Sequence, residues 1–309
     1  MLFYSYVLGR HQLSERALPI RPDDIFVVSH FRSGNTWMRF LLGNLLNLEG
    51  PISFDSIERI SPDIYQFRCR DFCKLPSPRL IKSHECFDPR YRRVIYIVRD
   101  PRDVAISLYH FLRKRRAIDD GVPLATYASE WFIRGTGSGV TWREHVGSWI
   151  ANPKSLPVIS RLSQNHNCIH ELGLRDLGAC GHGRQFLLVR YEDLLVDPFG
   201  GLARIAEFLK VAASEQQIRS AVERSSAVEM RKLEERDGDR WILARGTRQD
   251  INFVREAKSN QWRTKLPVES VASIELAWGG IMELLGYRLS TSSKDLDLLS
   301  DRTPEATCE

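Results

Sequence analysis

Three stretches of the chain share one pattern: a short unbroken apolar run, a polar turn, then apolar residues at helical spacing. The first is Ile25-Phe26-Val27-Val28, a turn from His30 to Asn35, and a helix with Trp37, Leu41 and Leu45 on one face. The second is Val94-Ile95-Tyr96-Ile97-Val98, then Arg99-Asp100-Pro101, then a helix through Val104, Leu108 and Phe111. The third is Phe186-Leu187-Leu188-Val189, then Tyr191-Glu192-Asp193, with a helix carrying Leu202, Ile205 and Leu209. Apolar runs without polar alternation predict strands buried on both faces, as in a parallel sheet covered by helices. Repeated strand–turn–helix units predict an α/β doubly wound fold. In such sheets ligands bind beyond the carboxyl ends of the strands, so the residues just after each run carry the interest.

Composition changes this picture little. At 309 residues, with 43% hydrophobic and 27% charged content, the chain can bury a sizeable core. Its net charge of +5 suits an anionic ligand and argues against a nucleic-acid partner. No apolar run approaches the ~18 residues that span a bilayer. Leu2 to Leu8 is short and lacks a preceding basic segment, which makes it a poor signal peptide. Six scattered cysteines (Cys69, Cys73, Cys86, Cys168, Cys180, Cys308) fit a reducing, cytoplasmic setting. From Thr291 onward the chain is rich in Ser, Asp and Thr and reads as a disordered tail.

The turn after the first run reads Arg32-Ser33-Gly34-Asn35-Thr36-Trp37. Gly34 permits a tight turn, a helix N-terminus follows, and two hydroxyls and a guanidinium stand beside it. Together they form a cradle for phosphate or sulfate. It is not a Walker A loop, since G-x-x-x-x-G-K-[ST] is absent. Taken alone, an ordinary strand–helix turn explains it equally well. After the second run, Arg99 and Ser107 can close on one phosphate. The competing account is a capping and ion-pair cluster built from Asp100, Arg102 and Asp103.

Between these lies a short strand ending Lys82-Ser83-His84. A neutral imidazole can take a proton from a hydroxyl, and Lys82, two residues earlier, leaves the same face of an extended segment. A lone histidine is more often structural, so its position relative to the other motifs must decide.

In combination these segments resemble the sulfotransferases that use 3′-phosphoadenosine 5′-phosphosulfate (PAPS), especially the cytosolic branch. That family's K-S-G-T-T-W loop is matched by Arg32 to Trp37, its R-[ND]-x-[KR]-D-x-x-x-S stretch by Arg99 to Ser107, and its K-T-H by Lys82 to His84. Tyr191-Glu192-Asp193-Leu194 and Phe253-Val254-Arg255 with Trp262 follow in the same order. The resemblance covers residues 22–289 and implies one P-loop-like doubly wound domain, with 1–21 as an extension and 290–309 as a tail. It implies that Arg32 through Trp37 hold the 5′-phosphosulfate, with Trp37 on the adenine. Arg99, Ser107 and Arg255 would bind the 3′-phosphate, with Tyr191, Ser225, Glu256 and Ala257 completing the nucleotide set. His84 would be the catalytic base, and Lys82 and Arg32 would stabilise the leaving phosphate of the product, 3′-phosphoadenosine 5′-phosphate (PAP), with no metal required. The acceptor would be a small molecule or carbohydrate bearing an alcohol, phenol or sugar hydroxyl, and a homodimer is allowed.

Three departures stand out. Arg32 replaces the usual loop lysine, Arg255-Glu256-Ala257 replaces R-K-G, and Ala227 stands where an aromatic is expected before Glu229-Met230. The piece from 151 to 184 is longer than the usual helix-to-strand link and reads as a surface insertion. It carries His166, Cys168, His170, Cys180 and His182, whose two-residue spacing is unlike common zinc patterns. Arg113-Lys114-Arg115-Arg116 closes a helix, where cations complement the dipole, and is read as such rather than as an acidic-acceptor site. A kinase-like phosphotransferase and a non-catalytic nucleotide-binding protein remain as alternatives, the first weakened by the missing Walker lysine.

Overall fold

The computed structural model describes residues 18–46, 50–66, 69–150, 177–180, 184–238, 241 and 244–291. Five strands, β1 (Ile25–Ser29), β2 (Leu80–Ser83), β3 (Arg93–Val98), β4 (Leu177–Cys180) and β5 (Arg184–Arg190), form one sheet in the order β2-β1-β3-β5-β4. The pairings β1–β2, β1–β3 and β3–β5 are parallel, with Val27 opposite Lys82 and Ile95. The expected parallel sheet is therefore present, and β4 adds a short antiparallel edge within the 151–184 piece. The rest of that piece lies outside the described residues, together with His166, Cys168, His170 and His182. Among the described residues no group of His, Cys, Asp and Glu could hold a metal ion.

The unbroken apolar runs follow from burial on both faces. Phe26, Val28, Val94, Tyr96 and Phe186 face one core, which also holds Val104, Leu108, Trp149 and Trp278. Their sequence neighbours Ile25, Val27, Ile95, Ile97 and Leu187 face the other, with Met38, Leu41, Leu42, Leu45, Leu202 and Ile205. Strand side chains alternate between faces, so two covered faces demand apolar residues at every position.

The covering helices begin where the sequence signals start. α1 (Asn35–Leu46) places Met38, Leu41, Leu42 and Leu45 on one stripe at spacings of three and four. α2 (Pro101–Lys114) has Pro101 in its first turn, and the Asp100 carboxylate accepts from Arg102 N. α3 (Trp142–Ile150), α4 (Tyr191–Val196), α5 (Pro198–Leu209), α6 (Glu215–Arg224), α7 (Ala227–Asp237) and α8 (Val268–Leu284) complete the layers. Glu275 on α8 accepts from the backbone N–H and hydroxyl of both Ser290 and Thr291. No helix among the described residues is long and apolar enough to cross a membrane.

β1 lies between β2 and β3. Connections that leave β1 to one side and return to its other side open a crevice at the carboxyl ends, the usual ligand position of doubly wound sheets.

Candidate active site

That crevice holds a cavity of about 350 Å³. Arg32, Gly34, Thr36 and Trp37 line it from the β1 turn, Lys82 and His84 from the end of β2, and Arg99 and Ser107 from β3 and α2. Tyr191 closes one side, and Arg255, Glu256 and Ala257 approach from a late loop. All but the late loop meet here because each lies at the carboxyl end of a strand of the same sheet.

Gly34 is required by geometry. Its φ is +104°, and a Cβ there would lie 2.7 Å from Tyr191 Cδ2. Arg32 is also left-handed, with φ 62°. This turn throws its guanidinium across the cavity, where Nε donates to Ser107 Oγ at 3.2 Å and Nη2 to the Phe253 carbonyl at 3.0 Å. The guanidinium packs against the rings of Phe111 (4.9 Å) and Phe253 (4.3 Å). Arg99 donates to the carbonyls of Arg32 and Lys258 and lies 4.3 Å over the Tyr191 ring. Its Nε is buried without a partner.

Three guanidiniums thus converge with little acid among them. Burial first, then Arg255 and Arg99, push Arg32 down to about 9. Burial likewise lowers Arg255. Such a cluster is stabilised by a multivalent anion, and Ser107 and the open start of α1 offer neutral donors beside it. Glu256 offsets this only at the edge, since its carboxylate pairs with Lys265 and lies 3.7 Å from Arg255. Ala257 sits at φ 52°, a conformation natural to the glycine that the family pattern has there.

The second centre is His84. Its Nδ1 lies 2.7 Å from the Ser29 carbonyl, which can only accept, so Nδ1 carries the proton and Nε2 keeps its lone pair. The ring stacks on Phe31 at 4.3 Å. Burial, and next the Lys82 charge, hold the imidazole well below its ordinary range. It is therefore neutral near pH 7, the form that can take a proton. Behind it, His145 Nε2 donates to the His84 carbonyl at 3.0 Å, and Tyr96 Oη is 2.9 Å from His145 Nδ1.

Three residues expected in the site stand differently. Asn35 borders the cavity, but its amide nitrogen donates to the Val27 carbonyl and Ser29 Oγ, tying α1 to β1. Ser33 is fully buried, with a hydroxyl that has no partner, and is not on the cavity wall. Ser225 lies behind the wall, where its carbonyl accepts from Trp37 Nε1 at 3.0 Å, while Ser226 lines the cavity. The segment after β3 faces two ways. Asp100, Arg102 and Asp103 form a capping and ion-pair cluster with Glu275 and the Trp262 amide, while Arg99 and Ser107 face the cavity. Lys114 donates to the Arg248 and Ile251 carbonyls, and Arg113 pairs with Asp120, so these two residues of the basic run are engaged in holding neighbouring loops.

The sequence pattern that defines the sulfotransferase domain matches residues 22–161 and 174–285, most of the chain. The chain belongs to the sulfotransferase family. Members of that family transfer a sulfuryl group to an acceptor. The amine sulfotransferase of Oryctolagus cuniculus is 25% identical over 264 residues, covering 81% of this chain and 77% of that one. Sulfotransferase 2B1 of Mus musculus is 28% identical over 233 residues, or 71% of this chain and 59% of that protein. Among solved structures, retinol dehydratase in complex with androsterone and inactive cofactor PAP superposes with a TM-score of 0.63 at 20% identity, over 90% of this chain and 85% of that one. A mouse sulfotransferase complexed with PAP gives 0.64 at 18%, over 96% and 95%. At that identity the likeness speaks for the fold.

Within this sulfotransferase, sequence reasoning missed Asp63, Gln66, Phe111, Phe253 and Met230, all on the cavity wall. It also missed Arg231 and Glu234 of α7. Arg231 donates to the Arg255 carbonyl at 2.7 Å, and Glu234 accepts from Val254 N at 2.8 Å, which together hold the late loop. No local pattern marks residues that bind another segment's backbone.

Proposed function

We propose that the chain sulfates the hydroxyl of a small-molecule acceptor, an alcohol, phenol or sugar, with His84 as the general base. The observation that carries this reading is the fixed tautomer of His84, a buried neutral imidazole whose Nε2 lone pair is left on the side of a cavity lined by Arg32, Arg99 and Arg255. Its companion is Lys82, two residues earlier on the same strand.

The residues suit PAPS. The orphaned Arg99 Nε, the Ser107 hydroxyl and Arg255 form an anion site suited to a 3′-phosphate. Thr36 and the first N–H groups of α1 suit the 5′ side, and Trp37, held by Ser225, offers a face for the adenine. PAPS supplies the sulfuryl group, whose bond to the 5′-phosphate breaks as the acceptor oxygen bonds to sulfur. His84 Nε2 takes the acceptor's proton, and Lys82 and Arg32 stabilise charge growing on the phosphate side. Positioning and fixed charge would supply the acceleration.

Residues 22–289 would form a single catalytic domain, working in the cytoplasm, with homodimerisation allowed. Retinol and androsterone are bound by the structural neighbour that carries them, and they motivate apolar alcohols as first acceptors to try. The test is incubation with ³⁵S-labelled PAPS and a panel of alcohols, phenols and sugars, with products identified by mass. Sulfated hydroxyl products are expected; label on amines alone would overturn the hydroxyl assignment.

A further inference from the structure

Asp63 and Gln66 line the cavity, and the segment that carries them, Pro62 to Gln66, contacts both Lys82 and His84. Backbone pairing sets its place: Lys82 N donates to the Pro62 carbonyl at 2.9 Å, Ile64 N donates to the Lys82 carbonyl at 3.2 Å, and Asp63 pairs with Lys82 as a single parallel bridge. One residue of strand is thereby added beside β2, at the point where β2 reaches the site. The register puts Asp63 next to Lys82, and Oδ2 accepts from Lys82 Nζ at 2.6 Å with both side chains almost fully buried.

The pair is itself held. Asp63 Oδ1 accepts from Tyr65 N at 3.0 Å, and Asp63 N donates to Glu58 Oε2 at 3.2 Å. Glu58 in turn pairs with the buried Arg39 of α1 at 2.9 Å. The Tyr65 hydroxyl accepts from His84 N at 3.2 Å and donates to Glu85 Oε1 at 2.6 Å. One short segment thus fixes the ammonium of Lys82 through Asp63 and the backbone of His84 through Tyr65.

We propose that Asp63 is a positioning residue of the sulfuryl-transfer site, acting through Lys82. This rests on Lys82 serving the reaction as proposed above. Asp63 is not a second base, because both oxygens are occupied and the side chain is almost fully buried. An ammonium has three N–H donors, and Asp63 takes one. A lysine stem has several rotatable bonds, and in a free state its charge would sample many places. Anchoring one N–H leaves the remaining donors aimed into the cavity that Lys82 lines. The carboxylate also makes burial of the lysine charge tolerable before an anionic ligand arrives.

The test is a double-mutant cycle on the full chain with Asp63→Asn and Lys82→Met. The readout is single-turnover release of labelled sulfate from PAPS with water as acceptor, per PAP-binding site, with PAP affinity measured calorimetrically on each protein. Asp63→Asn is expected to slow release by about 10–100-fold, the scale of a misplaced group, with PAP affinity within about twofold of the parent. In the Lys82→Met background the same change should alter the rate by less than about twofold, because an effect that passes through Lys82 is lost with it. Parental rate in Asp63→Asn with Lys82→Met impaired would overturn the role of Asp63 alone. A full, undiminished Asp63→Asn effect on top of Lys82→Met would also overturn it, as a structural role would give. Parental rate in Lys82→Met would remove the reading of Lys82 beneath it.

Discussion

Arg32 and Ser107 are 75 residues apart in sequence, yet the arginine Nε donates to the serine hydroxyl at 3.2 Å. This contact joins the β1 turn to α2 across the cavity. Its second arm reaches the Phe253 carbonyl at 3.0 Å, so the fork spans two elements at once. A lysine carries the charge but cannot make both bonds. Arg32→Lys should therefore weaken PAP binding by ~1–3 kcal/mol, the worth of one hydrogen bond to a charged group. Calorimetry showing unchanged affinity would mean that the fork is incidental.

Arg99 is the central cation of the proposed 3′-phosphate site, with a buried Nε that has no partner in the protein. Arg99→Ala should cost ~2–4 kcal/mol in PAP affinity, the scale for truncating one side of a desolvated charge pair. The loss should be much smaller for 5′-AMP, which lacks the 3′-phosphate. Equal losses for both nucleotides would move Arg99 to another part of the ligand.

Ala257 occupies a left-handed conformation at φ 52°. A Cβ there costs roughly 1–2 kcal/mol, partly offset by the chain entropy that glycine would lose on folding. Ala257→Gly should raise stability by ~0.5–1 kcal/mol in urea titration. A lower midpoint would show that the late loop relaxes to accommodate the alanine.

Much of this architecture could be read from residue order because strands buried on two faces leave unbroken apolar runs, and the turns after them must hold the ligand. Gly34, Arg99, Ser107, Lys82 and His84 were legible on that logic. Asp63 was not, since its partner is set by a one-residue bridge between distant segments. Arg231 and Glu234 look like ordinary helix-surface charges until the late loop lies across them. Asn35 and Ser33 sit in a phosphate-cradle pattern, but the pattern does not say which side chains turn inward. β4 is too short to give a strand signal of its own, and its register with β5 is irregular.

Acid should weaken the fold. His30 is pushed down to about 4, and His84 and His145 lie well below the ordinary imidazole range, in each case chiefly because burial disfavours charge. Their folded pKa values lie below the unfolded value of ~6.5, so the unfolded chain takes up protons first as pH falls. Stability is then level above neutrality and declines below about 6.5, by up to ~1.4 kcal/mol per pH unit for each histidine. Glu192, raised to about 7 by burial, works the other way: its neutral form stabilises the fold as pH falls toward about 4.5. His110, also pushed down to about 4 by burial first and then by Arg255, acts in the same sense, so the histidines outweigh Glu192 and the net effect in that window is a decline. Urea midpoints at pH 7.5 and 5.5 should differ clearly; equal midpoints would mean that these imidazoles are hydrated.

The most direct test of the account is the effect of His84→Ala on chemistry and on binding in the same preparation. The Ser29 carbonyl fixes the tautomer, and burial keeps the ring neutral, so the side chain is prepared to accept a proton. Removing it should lower kcat by ~10²–10⁴, the usual contribution of a positioned base. PAP affinity, set by the arginine cluster and the α1 start, should stay nearly unchanged. Turnover with the best acceptor from the PAPS screen and PAP titration by calorimetry give the two numbers. A large fall in kcat with intact PAP binding is the predicted result; a folded, PAP-binding variant with parental kcat would contradict it.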